Sequence, residues 1–237
     1  MTSSIPNAIA STEDFEFEAL SQAVNYRKAV VRALTHYLSG NVVEIGAGIG
    51  QMTKDFLNLS KISRLLSVEP EPKLHERHKK NVPGGELVLG LVDDIPTYPW
   101  DSIVSINVLE HIEGDVQELI KYRKILAPQR GFVCLLVPAR PEIYSPIDKD
   151  FGHYRRYTKS SLEAVLRDSG FEIVVLRYFN FIGYFAWFWT FKICRARHFG
   201  IDKVRFFDRH IFPWAYRLER LLPFLPFGQS LIAVGRA

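Results

Sequence analysis

Val43-Glu44-Ile45-Gly46-Ala47-Gly48-Ile49-Gly50 carries a β-branched run into three glycines at alternate positions. The run, which begins at Asn41, reads as a strand. The glycines read as a tight loop whose backbone can approach a ligand closely, and a helix follows. Roughly twenty residues on comes Glu69, the spacing at which the end of a second strand meets a ribose in nucleotide-binding sheets. A carboxylate there accepts hydrogen bonds from both ribose hydroxyls. The third glycine stands one residue earlier than in the Gly-x-Gly-x-x-Gly dinucleotide fingerprint. By itself such a triplet also fits a simple turn.

The same rhythm continues outward. Strands are expected over 64–68, closing on Glu69, over 86–91, closing on Asp93-Asp94, and over 102–106, closing on Asn107. A helix from Asp115 to Leu126 shows one apolar face and stops before Pro128 and Gly131. Phe132 to Val137 forms a fifth strand, Phe171 to Arg177 a sixth and Ser230 to Val234 a seventh. Near-continuous apolar strands alternating with helices predict a doubly wound, mostly parallel seven-stranded α/β sheet covered on both faces. Ligands of such sheets bind beyond the carboxyl ends of the strands.

Upstream, 1–12 is a small, polar tail. Leu20, Val24, Val31, Leu34 and Leu38 predict one helix from about Glu18, ended by Gly40. Downstream of Pro138 a loop runs to Thr158, with Pro138 to Pro146 setting its direction, and a helix follows from Ser160 to Ser169. Tyr178 to Phe191 holds nine aromatics in fourteen residues and is apolar all round as a helix, so something must cover it. The last helical region ends near Pro223 and Pro226. The whole reads as one domain over 1–237: tail and helical cap over 1–40, a cofactor-binding core over 41–140, and an acceptor-side loop, aromatic helical insertion and closing strands over 141–237.

The 237 residues are 47% hydrophobic, enough for a sizeable core. Cys134 and Cys194 stand far apart, without metal or disulfide spacing. They cannot hold an iron–sulfur cluster, which excludes radical chemistry. No apolar run is long enough to span a bilayer and no signal-like leader is seen, so a cytoplasmic protein is expected. Residues 151–237 carry 14 Lys and Arg against 6 Asp and Glu. A basic surface of this kind suits an acidic substrate or an anionic membrane. Without a continuous basic block, nucleic acid is not an expected partner. Lys192, Arg195 and Arg197 follow the aromatic segment and leave membrane-surface contact as a lesser alternative.

Taken together, Glu44-x-Gly46-x-Gly48-x-Gly50, Glu69, Asp93-Asp94, Asn107-Val108-Leu109-Glu110-His111 and the turn Leu126-Ala127-Pro128-Gln129-Arg130-Gly131 resemble the class I S-adenosylmethionine-dependent methyltransferases. The resemblance covers roughly 41–140 and, more loosely, the remainder. It departs at Gln129-Arg130, where such families usually carry Gly-Gly. It implies that S-adenosylmethionine is the cofactor and is held by Glu44, Gly46, Ala47, Gly48, Gly50, Glu69, Pro70, Asp93, Asp94, Asn107 and Val108. Gly46 and Gly48 would line the methionine part, Glu69 the ribose and Asp94, rather than Asp93, the adenine amine, with Asn107 beneath the methionyl moiety. Gly152-His153-Tyr154-Arg155-Arg156-Tyr157-Thr158 resembles a cluster in a bacterial branch of small-molecule methyltransferases.

Methyl transfer needs an acceptor held in line with the methyl group and a base only if that acceptor is protonated. His111 and His153 are the candidate bases. Tyr154, Arg155, Arg156, Tyr157 and Trp187 are the candidate acceptor contacts, the arginines as bidentate clamps for a carboxylate or phosphate. Asn107-Val108-Leu109-Glu110 is unlike the Asn/Asp-Pro-Pro-aromatic motif of adenine, cytosine and glutamine methyltransferases. No set of oxygen ligands is evident at the rim, so no metal is expected. The expected acceptor is an oxygen, a carboxylate included, or a nitrogen of a small or peptide-like metabolite. A nicotinamide-dependent oxidoreductase and a catalytically silent binding module are the competing readings, and the oligomeric state is open.

Overall fold

The structure, a computed structural model, describes residues 12–196, 200–222 and 225–237, with side chains from residue 17 onward. The expected tail up to residue 11, together with Arg197 and Pro223, lies outside the described residues.

Seven strands, β1 (Gly40–Ile45), β2 (Ile62–Glu69), β3 (Glu86–Leu89), β4 (Ser102–Ile106), β5 (Phe132–Pro138), β6 (Glu172–Phe179) and β7 (Ser230–Arg236), form one sheet in the order β3-β2-β1-β4-β5-β7-β6. All neighbours are parallel except β7, which runs antiparallel to both β5 and β6. Strand order reverses between β1 and β4, so the switch-point crevice opens where Ile45 and Ile106 end.

Alternation along the strands divides the core in two. Val43, Leu66, Ile103 and Val133 face one side, where Leu119, Tyr122 and Leu126 of α5 (Asp115–Leu126) and Leu162 and Leu166 of α7 (Lys159–Asp168) cover them. Val42, Leu65, Val104 and Cys134 face the other, under Val30, Val31 and Leu34 of α2 (Val24–Leu34), Met52 and Phe56 of α3 (Gln51–Leu57) and Phe212 of α10 (Phe212–Leu221). Helix α4 (Pro72–Asn81) crosses between β2 and β3.

The single helix expected before β1 is two, α1 (Thr12–Gln22) and α2, broken at Ala23. Ala23 offers no side-chain cap. Instead, the backbone N–H groups of Asn25 and Tyr26 donate to the two carboxylate oxygens of Asp208 at 2.9 and 2.8 Å. The donors that open α2 are thus satisfied from 183 residues away. Val24, expected on the apolar face, is 40% exposed. Gly40 begins β1 rather than ending a helix; its φ of +66° and the closeness of Asp101 leave no room for a side chain.

After β5 come a short helix α6 (Pro146–Asp150) and, beyond β6, α8 (Phe181–Trp187), a wide π turn over Phe188–Ile193, then α9 (Ile201–Phe206), a second π turn over Phe207–Ile211 and α10. The expected aromatic helix therefore starts late, because Tyr178 and Phe179 belong to β6 and Asn180 turns the chain at φ +62°. Asn180 then caps α8, accepting from Gly183 N at 3.0 Å. Glu219 of α10 accepts from the N–H groups of Asn180 and Phe181 at 3.2 and 3.0 Å, which anchors α8 on α10.

Candidate functional site

At the first strand end, Gly46, Gly48 and Gly50 all take positive φ, at +69°, +55° and +83°. Gly46 N and Ala47 N donate to Val68 O at 2.9 and 3.1 Å, which lashes the loop to the end of β2. A side chain on Gly46 would run into Val108, and one on Gly48 into the ring of Phe17 from α1. Glu69 is buried and accepts from Gly48 N at 2.7 Å and from Glu71 N at 2.9 Å. Burial raises its pKa, opposed by those two backbone hydrogen bonds. Each carboxylate oxygen keeps a further lone pair for a ligand hydroxyl.

Glu44 is turned away from this cradle. It accepts from Thr53 Oγ1 at 2.6 Å and Ser67 Oγ at 3.1 Å beneath the loop, and burial pushes its carboxyl up to about 7. It braces the loop rather than lining it. Asp94 accepts from Leu91 N at 2.8 Å, closing the turn after β3, while Asp93 is paired with Lys121 of α5 at 2.5 Å. Pro70 is exposed beside Glu69, and Ala47 is buried in the loop.

A cavity of about 240 Å³ lies across the carboxyl ends of β4, β5 and β6 and under α1, α8 and α9. Its walls are mostly apolar, with Leu20, Ile147, Trp187, Phe191 and Phe207 among them; Asn107, Glu110, His153, Arg156 and Asn180 supply polar groups. Asn107 sits at φ +52°, its N–H held by Leu136 O at 2.8 Å. Asn107 lines the cavity while its neighbour Val108 packs on Gly46, so cavity and glycine loop meet across one peptide.

The rim after β5 converges on Asp148, a fully buried carboxylate on α6. It accepts from Ser145 N and Oγ at 2.9 Å each, from Arg156 Nε at 2.6 Å and pairs with His153 Nδ1 at 3.1 Å. Burial pushes the Asp148 carboxyl up, but His153 and Arg156 outweigh that and hold it below the usual range. Arg156 also donates to Ala139 O at 3.2 Å and lies 4.5 Å over the Trp187 ring. His111 and His153 meet edge to face, with ring centroids 4.7 Å apart. Burial, aided by His153, pulls the pKa of His111 down to about 4.

Residues 21–176 match the family model described as a methyltransferase domain. The chain belongs to the class I S-adenosylmethionine-dependent methyltransferases. An uncharacterized methyltransferase of Oceanobacillus iheyensis is 33% identical over 92 residues, which are 37% of this chain; the chain spans 42% of that relative's length. In three dimensions the chain is similar to one from the complex between the Haloferax volcanii Trm112 methyltransferase activator and a methyltransferase, at 15% identity and TM-score 0.62, covering 97% of both chains. It is also similar to an S-adenosylmethionine-dependent methyltransferase from Mesorhizobium loti, at 16% identity and TM-score 0.58, covering 87% of this chain and 95% of that one. These likenesses under 25% identity show the fold.

S-adenosylmethionine is accordingly the cofactor of this methyltransferase, and the glycine cradle with the Glu69 carboxylate fits it. The assignment decides against the nicotinamide oxidoreductase. The family match ends at residue 176, short of the aromatic insertion, which forms a cavity wall through Gly183, Trp187 and Phe191.

Of the expected acceptor contacts, the structure brings Arg156 and Trp187 to the cavity and leaves Tyr154, Arg155 and Tyr157 outside it. Residues 154–156 form no regular element, and Tyr157 makes a single bridge to Ala139. Arg155 donates to Asp115 at 2.7 Å and Glu113 O at 2.8 Å, and Tyr157 donates to the same Asp115 oxygen at 2.9 Å. Tyr154 is 57% exposed. The clamp of two arginines is therefore divided, one pinning the loop and one at the wall. Sequence reasoning missed Asp148, whose only advance signal was a carboxylate five residues before His153. It also used Glu110 only as part of a motif, although this residue is fully buried at the cavity.

Proposed function

We propose that the chain transfers a methyl group from S-adenosylmethionine to an oxygen, a carboxylate included, or a nitrogen of a small or peptide-like acceptor bound in the 240 Å³ cavity. The observation that carries this reading is the junction at Asn107-Val108, which sets the acceptor cavity directly against the cofactor loop. S-adenosylmethionine supplies an electrophilic methyl group on a sulfonium. Gly46, Ala47, Gly48, Gly50 and Val108 shape the site for its methionine part, Glu69 and Pro70 flank its ribose, and Asp94 its adenine. Asp93 is the weaker candidate because Lys121 already holds it. Glu44 serves as the loop's support.

The chain's own contribution is positioning within mostly apolar walls, which supplies much of the rate of an in-line transfer. Arg156 has used Nε and Nη1, which leaves Nη2 for an acidic group of the acceptor. His111 and His153 are the groups through which a protic acceptor loses its proton. The outer face of the insertion exposes Trp189, Phe206, Trp214 and Leu221, with Arg205, Arg209, Arg217 and Arg220 exposed on the same helices. This combination suits contact with an anionic membrane surface, from which an apolar acceptor would enter.

The direct test is to incubate the chain with methyl-labelled S-adenosylmethionine and extracts of small molecules, and to follow label by mass spectrometry. A labelled product absent without the chain identifies the acceptor. Label that never leaves the cofactor, under conditions where S-adenosylhomocysteine binds, favours the silent binding module instead.

A further inference from the structure

Glu110 and His111 come from the turn after β4, and His153 from the loop after α6; the fold brings one ligating atom of each within 4.8 Å of the others. His153 is 8% exposed, and Asp148 fixes its ring by holding Nδ1 at 3.1 Å. This aims Nε2 inward, where it stands 4.0 Å from Glu110 Oε1. That separation is too long for a hydrogen bond. Nε2 is buried and has no hydrogen-bond partner among the described residues. A buried imidazole nitrogen without a partner costs free energy unless a ligand satisfies it. A carboxylate behind the far nitrogen of a histidine is also the arrangement that orients metal-binding imidazoles and raises their basicity.

We propose that Glu110, His111 and His153 bind one divalent transition-metal ion at the wall of the acceptor cavity. Two imidazoles and one carboxylate suit zinc and its first-row neighbours better than magnesium or calcium, which prefer oxygen. Bond lengths of about 2.0–2.2 Å are reached from a 4.8 Å spread by small side-chain rotations. Three protein ligands leave a position open, and Glu110 and His153 both line the cavity. An acceptor hydroxyl taking that position transfers its proton to water and keeps the oxygen lone pair as nucleophile near neutral pH. The inference rests on the methyltransferase reading for the ion's use and on geometry alone for its binding. With the ion in place the two imidazoles are ligands and no longer proton acceptors, so this site stands in place of both the metal-free site expected from sequence and the histidine base.

The test uses the full chain stripped with a chelator. Zinc chloride is titrated by calorimetry, and cobalt chloride is followed by visible absorption, which reports coordination directly. The site predicts one ion per chain and a cobalt spectrum of mixed nitrogen and oxygen ligation. His111→Ala and His153→Ala should each weaken binding at least tenfold, and Asp148→Asn about 10–100-fold through the orienting hydrogen bond. Absence of stoichiometric binding to the unmutated chain, or affinity unchanged in both histidine variants, overturns the proposal. S-adenosylhomocysteine titrated into the same samples keeps the readings apart. A chain that binds S-adenosylhomocysteine but takes up no ion overturns the metal site alone, whereas a chain that takes up the ion but not S-adenosylhomocysteine supports the site and contradicts the methyltransferase reading.

Discussion

Glu44 shows how a residue legible in a motif takes a different task in the fold. Its place one residue before the glycine loop suggested cofactor contact, yet its carboxylate is held by Thr53 and Ser67 in a sealed space. Burial lifts it from the ordinary 4.5 to about 7, so the folded chain keeps a proton there that the unfolded chain has released. Between those values the unfolded state binds fewer protons, and stability falls as pH rises through the window. At ~1.4 kcal/mol per pKa unit the loss is on the order of 3 kcal/mol. Glu44→Gln, which keeps an acceptor for Thr53 and cannot ionise, should flatten the pH dependence of urea unfolding between about pH 5 and 7. An equal slope in both proteins would show that the carboxylate is solvated. At the rim, Arg155, Arg156 and Tyr157 were legible as a cluster, but which one faces the cavity depends on distant partners: Asp115 of α5 holds Arg155 and Tyr157, and Asp148 of α6 holds Arg156.

At the level of elements, every strand of the sheet was readable, because apolar or β-branched runs mark the strands, and polar residues at or just after the ends of β2 and β4, Glu69 and Asn107, mark where they stop. What was not readable came from partners distant in sequence. The break between α1 and α2 exists because Asp208 caps α2 from the second π turn. Asp208→Ala should cost about 0.5–2 kcal/mol. In hydrogen exchange it should speed the amides of Asn25 and Tyr26 and leave Val42 and Val43 of β1 protected; unaltered exchange at Asn25 and Tyr26 would refute the cap. The insertion was readable as aromatic but not as two-faced. Trp214, Leu218 and Leu221 recur at helical spacing on an exposed stripe while Phe212 and Glu219 face inward. The protein should therefore sediment with phosphatidylserine-rich vesicles and not with neutral ones, and Trp214→Asp should weaken that association severalfold. Equal recovery in the supernatant with both kinds of vesicle would remove the membrane contact.

For the whole molecule, the sheet order puts the glycine loop and the apolar cavity on one rim, where they meet at Asn107-Val108. The donor was legible because its chemistry is written in backbone conformation and strand-end carboxylates, which leave residue types at set spacings. The acceptor was not, because the cavity proposed for it is assembled from α1, the strand ends and an insertion beyond the family match, and no local pattern encodes that meeting. A rim built for S-adenosylmethionine binds S-adenosylhomocysteine in a calorimetric titration at one site of micromolar affinity and, at a hundredfold excess over the dissociation constant, gains about 2.7 kcal/mol of stability. Glu69→Ala should weaken that binding by roughly 1.5–3 kcal/mol, the worth of hydrogen bonds to a charged group. No heat with S-adenosylhomocysteine, or saturable binding of NADH in its place, would mean that the rim is built for another cofactor.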